Sequence, residues 1–263
     1  VEDHSNRASG SVHLAEESAG RIKTHLDRHG TAELNGLLDA IVAEHPAMAL
    51  GINMALAVSD AIPSGREAAA EALETFMLGL VQSRLVAAAE WAALVHEKGW
   101  LTVATYSRSG QVRECLGCSR QAGLNRVVLS EGRPANEGVM MAGELRGEGF
   151  EVTLTTDSAL PSLLPQAQAV VVGADAFFEG HFVNKTGTAS MLREAREAGL
   201  PTVVVTAPQK HLDERGASLW RNLSIEKPAR LGKLSRGISW AGDLFEAVPW
   251  ALATQVIGKT TLR

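Results

Sequence analysis

Apolar residues in the first hundred positions recur every three or four residues, whereas those after Trp100 fall in short unbroken runs. The first spacing belongs to helices with one buried face, and the second to strands covered on both faces. After a polar start containing RASGS, the positions Val12, Ala15, Ala19, Ile22 and Leu26 form a stripe that Gly30 stops. A second helix is expected from Thr31 to Glu44, ahead of Pro46, and an alanine-rich third from Ala47 to Ala61. Pro63 precedes Ser64 and Glu67 in the spacing of a capping box, which predicts the start of a long helix. Its stripe of Leu73, Met77, Leu80, Val81, Leu85, Ala88, Trp91 and Val95 is expected to face a core and ends at Gly99.

From Trp100 onward, WLTVATYS, NRVVLSE, EVTLTTD, AVVVGAD and PTVVVTA read as strands, with helical stretches such as QVRECLGCSRQ, GVMMAGELRG and GTASMLREAREAG between them. Strands separated by helices run parallel through right-handed crossovers and need cover on both faces. The expected fold class is α/β: a helical N-terminal domain over residues 1–99, then a doubly wound, mostly parallel Rossmann-like sheet over 100–263. A sixth strand near Leu244 to Val248 and a final helix from Trp250 to Gly258 are expected to close it. The interval 208–243 is expected to be irregular, with a short strand around Leu223 to Ile225.

Composition narrows the functional classes. The 263 residues are 45% hydrophobic and 21% charged, enough for a sizeable core and unlike a disordered chain. The net charge of −5, without any Lys/Arg-rich run, gives no reason to expect direct nucleic-acid binding. No run of eighteen apolar residues and no charged-then-apolar leader occurs, so a cytoplasmic protein without a membrane partner is expected. Cys115 and Cys118 have a CxxC spacing, but no second Cys/His cluster completes a zinc site. Two thiols one turn apart on a helix are expected instead. His25 and His29 stand four apart with no third ligand, and a solvated helix end is expected there. Neither a metal nor a cofactor is expected.

Polar residues gather where the strands end. The stretch AVVVGADAFFEGHFVNKTGTAS delivers Asp175 to a loop holding Asn184, Lys185 and Gly187, after which a helical pattern begins. Loops at the carboxyl ends of parallel strands are where ligands collect, which makes Asp175 and Lys185 the leading candidates for chemistry. Thr105, Ser107, Arg108, Ser109 and Gly110 form a hydroxyl-rich turn into a helix, which reads either as a phosphate cradle or as a plain N-cap by Ser107 or Ser109. Arg133 follows the second strand, as a phosphate fork or as half of a surface salt bridge. Asp157 reads as the N-cap of the next helix. Hydroxyls, an arginine, a carboxylate, an amide and a lysine on one rim suit a small phosphorylated polyol.

The strings TYSRSG, SEGRPANEGVMMAGEL and GADAFFEGHFVNKTGTAS, with FEAVPWALATQVIG and more loosely RASGSVHLAEESA, carry a family resemblance. The chain resembles the family of translation initiation factor 2B α/β/δ subunits, methylthioribose-1-phosphate isomerase and ribose-1,5-bisphosphate isomerase. The resemblance implies a homodimer or higher assembly and a sugar-phosphate pocket between a helical and a Rossmann-like domain. In the family's isomerases a cysteine and an aspartate interconvert an aldose 1-phosphate and its ketose 1-phosphate; the aspartate falls on Asp175. Sugar and phosphate contacts fall on Arg133, Asn184, Lys185, the turn from Thr105 through Ser109 to Gly110, and Arg7.

The cysteine does not carry over. Where the isomerases read THC, this chain reads Thr105, Tyr106 and Ser107. Cys115 and Cys118 lie two to three turns further along, roughly 12–16 Å of helical rise. The expectation is a sugar-phosphate isomerase-like enzyme using Asp175, with water or Ser107 in the thiol's place. The alternatives are a regulatory protein that binds a sugar phosphate or nucleotide without turning it over, and a structural subunit with a vestigial pocket.

Overall fold

The structure, a computed structural model, describes residues 10–222, Gly237 and residues 242–259. Arg7 and the strand expected at Leu223 to Ile225 lie outside the described residues. Helices α1 (Ser11–His29), α2 (Leu34–Glu44), α3 (Ala49–Ala61) and α4 (Arg66–Lys98) precede the first strand. Ile22, Leu26, Leu34, Leu38, Ile41, Met54, Val58 and Leu73 close the core among them. The capping box does not form: Ser64 ends a single 3-10 turn, and Gly65 takes the cap position at φ 101° with no side-chain bond.

Helix α4 serves two cores. Leu73 packs against α1–α3, while Ala87, Ala88, Trp91, Leu94 and Val95 pack on the sheet. Its expected stripe needs correction, because Val81 is 47% and Leu85 66% exposed. At 3.6 residues per turn, these two lie about a quarter and a third of a turn from the line through Leu73, Leu80 and Trp91. With Leu78 and Val86 they form an outward apolar face.

Strands β1 (Thr102–Thr105), β2 (Arg126–Ser130), β3 (Glu151–Thr155), β4 (Ala169–Gly173), β5 (Ala176–Phe178), β6 (His181–Lys185), β7 (Thr202–Val205), β8 (Phe245–Pro249) and β9 (Gln255–Ile257) make two sheets. The larger is parallel in the order β3-β2-β1-β4-β7-β9, and the smaller is antiparallel in the order β5-β6-β8. Helices α5 (Gly110–Cys118) and α6 (Glu137–Gly147) cover one face of the large sheet beside α4. The other face carries α7 (Leu160–Leu163), α8 (Thr188–Glu197) and parts of the small sheet, and α9 (Glu214–Asn222) lies against α3.

The C-terminal expectations were reversed. The segment read as the sixth parallel strand is β8, paired antiparallel with β6. The segment read as a final helix makes one 3-10 turn, Trp250–Leu252, and then β9, the true sixth strand, with Val204 opposite Val256. Thr254, Val256 and Ile257 are β-branched and favour that outcome. Residues 176–185, read as a loop, are a hairpin turning at Glu179 and Gly180, so Asn184 and Lys185 stand on a rigid strand.

Candidate functional site

The order of the large sheet is that of a doubly wound fold whose chain reverses direction between β1 and β4. At such a switch point the crossover helices leave to opposite faces, and a crevice opens beyond the strands' carboxyl ends. Tyr106 and Ser107 follow β1 there, and Ala174 and Asp175 follow β4. A small cavity of about 40 Å³ lies at this point, lined by Ser107, Arg108, Ser109, Glu137, Asp175, Asn184 and Lys185 among others. A larger cleft of about 1050 Å³ lies between α2, α3 and α9. It holds none of the polar residues that follow β1, β4 and β6, so the smaller cavity is the better candidate.

Asp175 is fixed from several sides. Its amide donates to the Val183 carbonyl at 2.8 Å, and its carbonyl accepts from the Ala49 amide at 3.0 Å. Its carboxyl group takes a hydrogen bond from Ser11. The residue keeps some water contact, yet it is surrounded densely enough that burial pushes its carboxyl above the usual range, against the pull of Lys210 and Lys185. Lys210 is 1% exposed, and its Nζ donates to the Ala174 carbonyl at 2.6 Å. Burial lowers its amine, and Asp175 opposes that shift. Lys210 ends the 3-10 turn Pro208–Lys210 just after β7, the strand next to β4. Sequence reasoning passed over it, although the rule applied to the other strand ends would have found it.

Lys185 is buried and forms an ion pair with Glu137 at 2.5 Å. Glu137 opens α6, and its second oxygen is buried without a hydrogen-bond partner among the described residues. Asn184 donates to Thr188 at 3.0 Å, whose hydroxyl donates to the Lys185 carbonyl at 2.6 Å. Arg108 lines the cavity and pairs with Glu144 at 2.7 Å. Ser107 is buried at φ 60°, a left-handed conformation rarely taken by a residue with a side chain. Ser109 caps α5 by accepting from the Val112 amide at 3.3 Å.

Two further contacts shape the rim. Tyr106 donates its hydroxyl to the Thr186 carbonyl at 2.8 Å, tying the end of β1 to the loop before α8. Burial, and the nearby carboxylates of Asp157, Glu246 and Glu137, push the phenol's ionisation upward. Gly187, at φ 107°, lies so close to the Tyr106 ring that a side chain there would collide with it. Glu246 on β8 accepts from the Gly187 and Ala189 amides, both at 2.9 Å, and so occupies the N-terminus of α8.

Of the residues selected from the sequence, Ser107, Ser109, Asp175, Asn184 and Lys185 line the one cavity. Thr105 is buried at the end of β1 and Gly110 begins α5; both flank it. Arg133 does not line it. Its exposed side chain reaches Asn136 at 3.2 Å, and its amide donates to Asp157 at 2.7 Å. Asp157 is therefore a clamp on the β2–α6 loop, also accepting from the Gly132 amide at 2.9 Å, and not the N-cap of α7, which is Ala159. Cys115 faces the core and Cys118 is exposed, both on α5. Among the described residues no cluster of three or more His, Cys, Asp or Glu could hold a metal ion.

A parallel α/β sheet whose strand order reverses between β1 and β4 defines a protein of the doubly wound class. Residues 23–224 match the initiation factor 2 subunit family, and the chain belongs to it. It is 28% identical to a translation initiation factor eIF-2B subunit 2-like protein of Pyrococcus furiosus over 220 residues, 82% of this chain and 76% of that one. It is 35% identical to the ribose 1,5-bisphosphate isomerase of Haloferax volcanii over 111 residues, 41% of this chain and 34% of the isomerase. The match thus spans about a third of the isomerase's length. The crystal structure of the Pyrococcus horikoshii translation initiation factor eIF-2B superposes with a TM-score of 0.79 at 23% identity, over 95% of this chain and 89% of that one. The family thus holds both sugar-phosphate isomerases and initiation-factor-like subunits.

Proposed function

We propose that the cavity binds a phosphorylated pentose or a related small molecule. On this reading the chain interconverts an aldose 1-phosphate, of the ribose 1,5-bisphosphate or methylthioribose 1-phosphate type, with its ketose 1-phosphate. The observation that carries the proposal is the setting of Asp175, a carboxyl raised by burial beside a buried lysine at the strand switch point. Such a group retains its proton further toward neutrality than an exposed carboxylate and can pass it to a sugar ring oxygen. Asn184 orders hydroxyls, and Lys185 neutralises phosphate. The turn from Thr105 through Ser109 to Gly110 supplies backbone donors, and Arg133 and Arg7 are further candidates for phosphate contact. Small-molecule pockets are typically about 300–1,000 Å³, so lining side chains must part to admit a ligand.

Ser107 favours a second reading, binding without turnover. It occupies the place of the isomerases' thiol, and a hydroxyl needs a neighbouring base to act. Incubation with ribose 1,5-bisphosphate or methylthioribose 1-phosphate, followed by assay for the ketose, separates the two. We expect ketose formation, reduced about a hundred-fold or more in Asp175→Asn. Binding without ketose in both the wild type and Ser107→Cys would instead select the second reading.

We also propose self-association through the outward face of α4. The charges beside Val81 and Leu85 are paired within the chain, Arg84 with Glu114 and Glu16, and Arg113 with Glu144 and Glu148, so these groups already have partners where a second copy would sit. Sedimentation is expected to show an oligomer that Leu85→Glu weakens; a monomeric wild type would refute it.

A further inference from the structure

The cleft of about 1050 Å³ between α2, α3 and α9 takes no part in the chemistry proposed above, yet its walls are braced. Ser59 on α3 donates to Asn35 on α2 at 3.3 Å, and Arg215 on α9 pairs with Asp60 on α3 at 2.7 Å. Asn53, also on α3, donates to the Gln209 and His211 carbonyls at 2.7 Å each and so fixes the approach to α9. The floor is apolar. Leu38 and Ile52 form its base, Val42 and Leu56 are half-buried, and Leu219 is 38% exposed at the lip. The rim is acidic, with Asp39 on α2 and Asp213 and Glu214 at the start of α9 all exposed. Arg215 is the one cation among the described lining residues, and Asp60 already engages it.

From this apolar floor and acidic rim we infer that the cleft docks an amphipathic helix of another protein, its apolar face inward and Lys or Arg residues along both flanks. The walls decide the form of the occupant. All three are helices, whose interior backbone groups bond within the helix, so they offer no strand edge for an extended peptide to pair with. No Phe, Trp or Tyr is among the described lining residues, as a proline-rich ligand would require. A helix satisfies its own backbone and needs only burial of its apolar face. The rim decides the charge: carboxylates on α2 and α9 attract cations on either side of an apolar stripe, and they repel phosphate backbones and anionic lipid.

The test is a fluorescence anisotropy titration of the full chain against a labelled helical peptide of leucine, lysine and alanine, about five turns long, with leucine at every third or fourth position. A second peptide carries glutamate in place of each lysine. The lysine peptide is expected to bind about ten-fold more tightly than the glutamate peptide, or better. Asp39→Lys with Glu214→Lys is expected to weaken it about ten-fold, and Leu219→Ala to weaken it measurably. Glu194→Lys with Glu197→Lys, the same change of charge on the exposed face of α8, is expected to leave binding unchanged. A wild type that does not bind the lysine peptide, or binds the two peptides equally, overturns the inference. So does equal weakening by the two charge-reversed pairs. The competing occupant is the chain's own stretch from Leu223 to Arg236, which carries Lys227, Arg230, Lys233 and Arg236. Peptide binding that appears only when these four are changed to Gln would assign the cleft to that stretch and overturn the inference. The proposed function stands under every one of these results.

Discussion

Asp175 and Lys210 show how one residue pair can matter to stability as well as to chemistry. Lys210 lies buried near Asp175 and donates to the Ala174 carbonyl, and removing it leaves that buried acceptor unmet, at a cost of about 1–3 kcal/mol. Lys210→Met should therefore lower stability by roughly that amount, and the Asp175→Asn/Lys210→Met double variant by less than the sum of the two single changes. Urea denaturation of the four proteins checks this, and strict additivity would show that the two groups do not interact. The cysteines supply a second test. Burial raises the Cys115 thiol from its ordinary 9.0 to about 12, so the native state favours the protonated form. Its contribution to stability is complete below pH 9 and is lost as the pH climbs through about 12. Cys115→Ala should lose less stability than the wild type over that range. Iodoacetamide should label only the exposed Cys118 in the native protein and both thiols after unfolding.

At the scale of elements, the site is held by the ends of strands and the starts of helices. Ser109 caps α5, and Ser109→Ala is expected to cost about 1 kcal/mol in thermal or chemical unfolding. Gly187→Ala should cost more, because Gly187 combines φ 107° with direct proximity to Tyr106. If its melting temperature fell no further than that of Ser109→Ala, the junction between β6 and α8 would be looser than the structure indicates. The five expected strands of the large sheet were readable because each is an unbroken run of mainly β-branched residues between helical segments. The strand β9 was not readable, since three residues carry no periodicity and only pairing with β7 makes them a strand. The hairpin β5–β6 was hidden because its polar residues looked like a loop. Ser107, Asp175 and Lys185 were legible as polar interruptions at strand ends. The pairing of Lys185 with Glu137 and the approach of Lys210 to Asp175 were not, because they depend on contacts far apart in sequence.

For the molecule as a whole, the decisive element is α4, which begins in the helical core and ends in the core of the sheet. A division of the chain between residues 99 and 100 would remove Ala87, Ala88, Trp91, Leu94 and Val95 from the cover of the large sheet. Trp91 is completely buried and donates its indole hydrogen to Ser119 at 3.0 Å, so its loss alone is expected to cost about 3–5 kcal/mol. That is a large share of the ~5–15 kcal/mol that holds an ordinary protein folded. Residues 100–263 expressed alone should therefore lack a cooperative melt, and Trp91→Ala in the full chain should destabilise α1–α3 together with the sheet. Hydrogen exchange checks the coupling: amides of α2 and of β1 should lose protection in parallel in the variant. A cooperative melt of the isolated 100–263 fragment would show instead that the sheet needs no help from α4, and that the Ser11 and Ala49 contacts to Asp175 join two units able to fold separately.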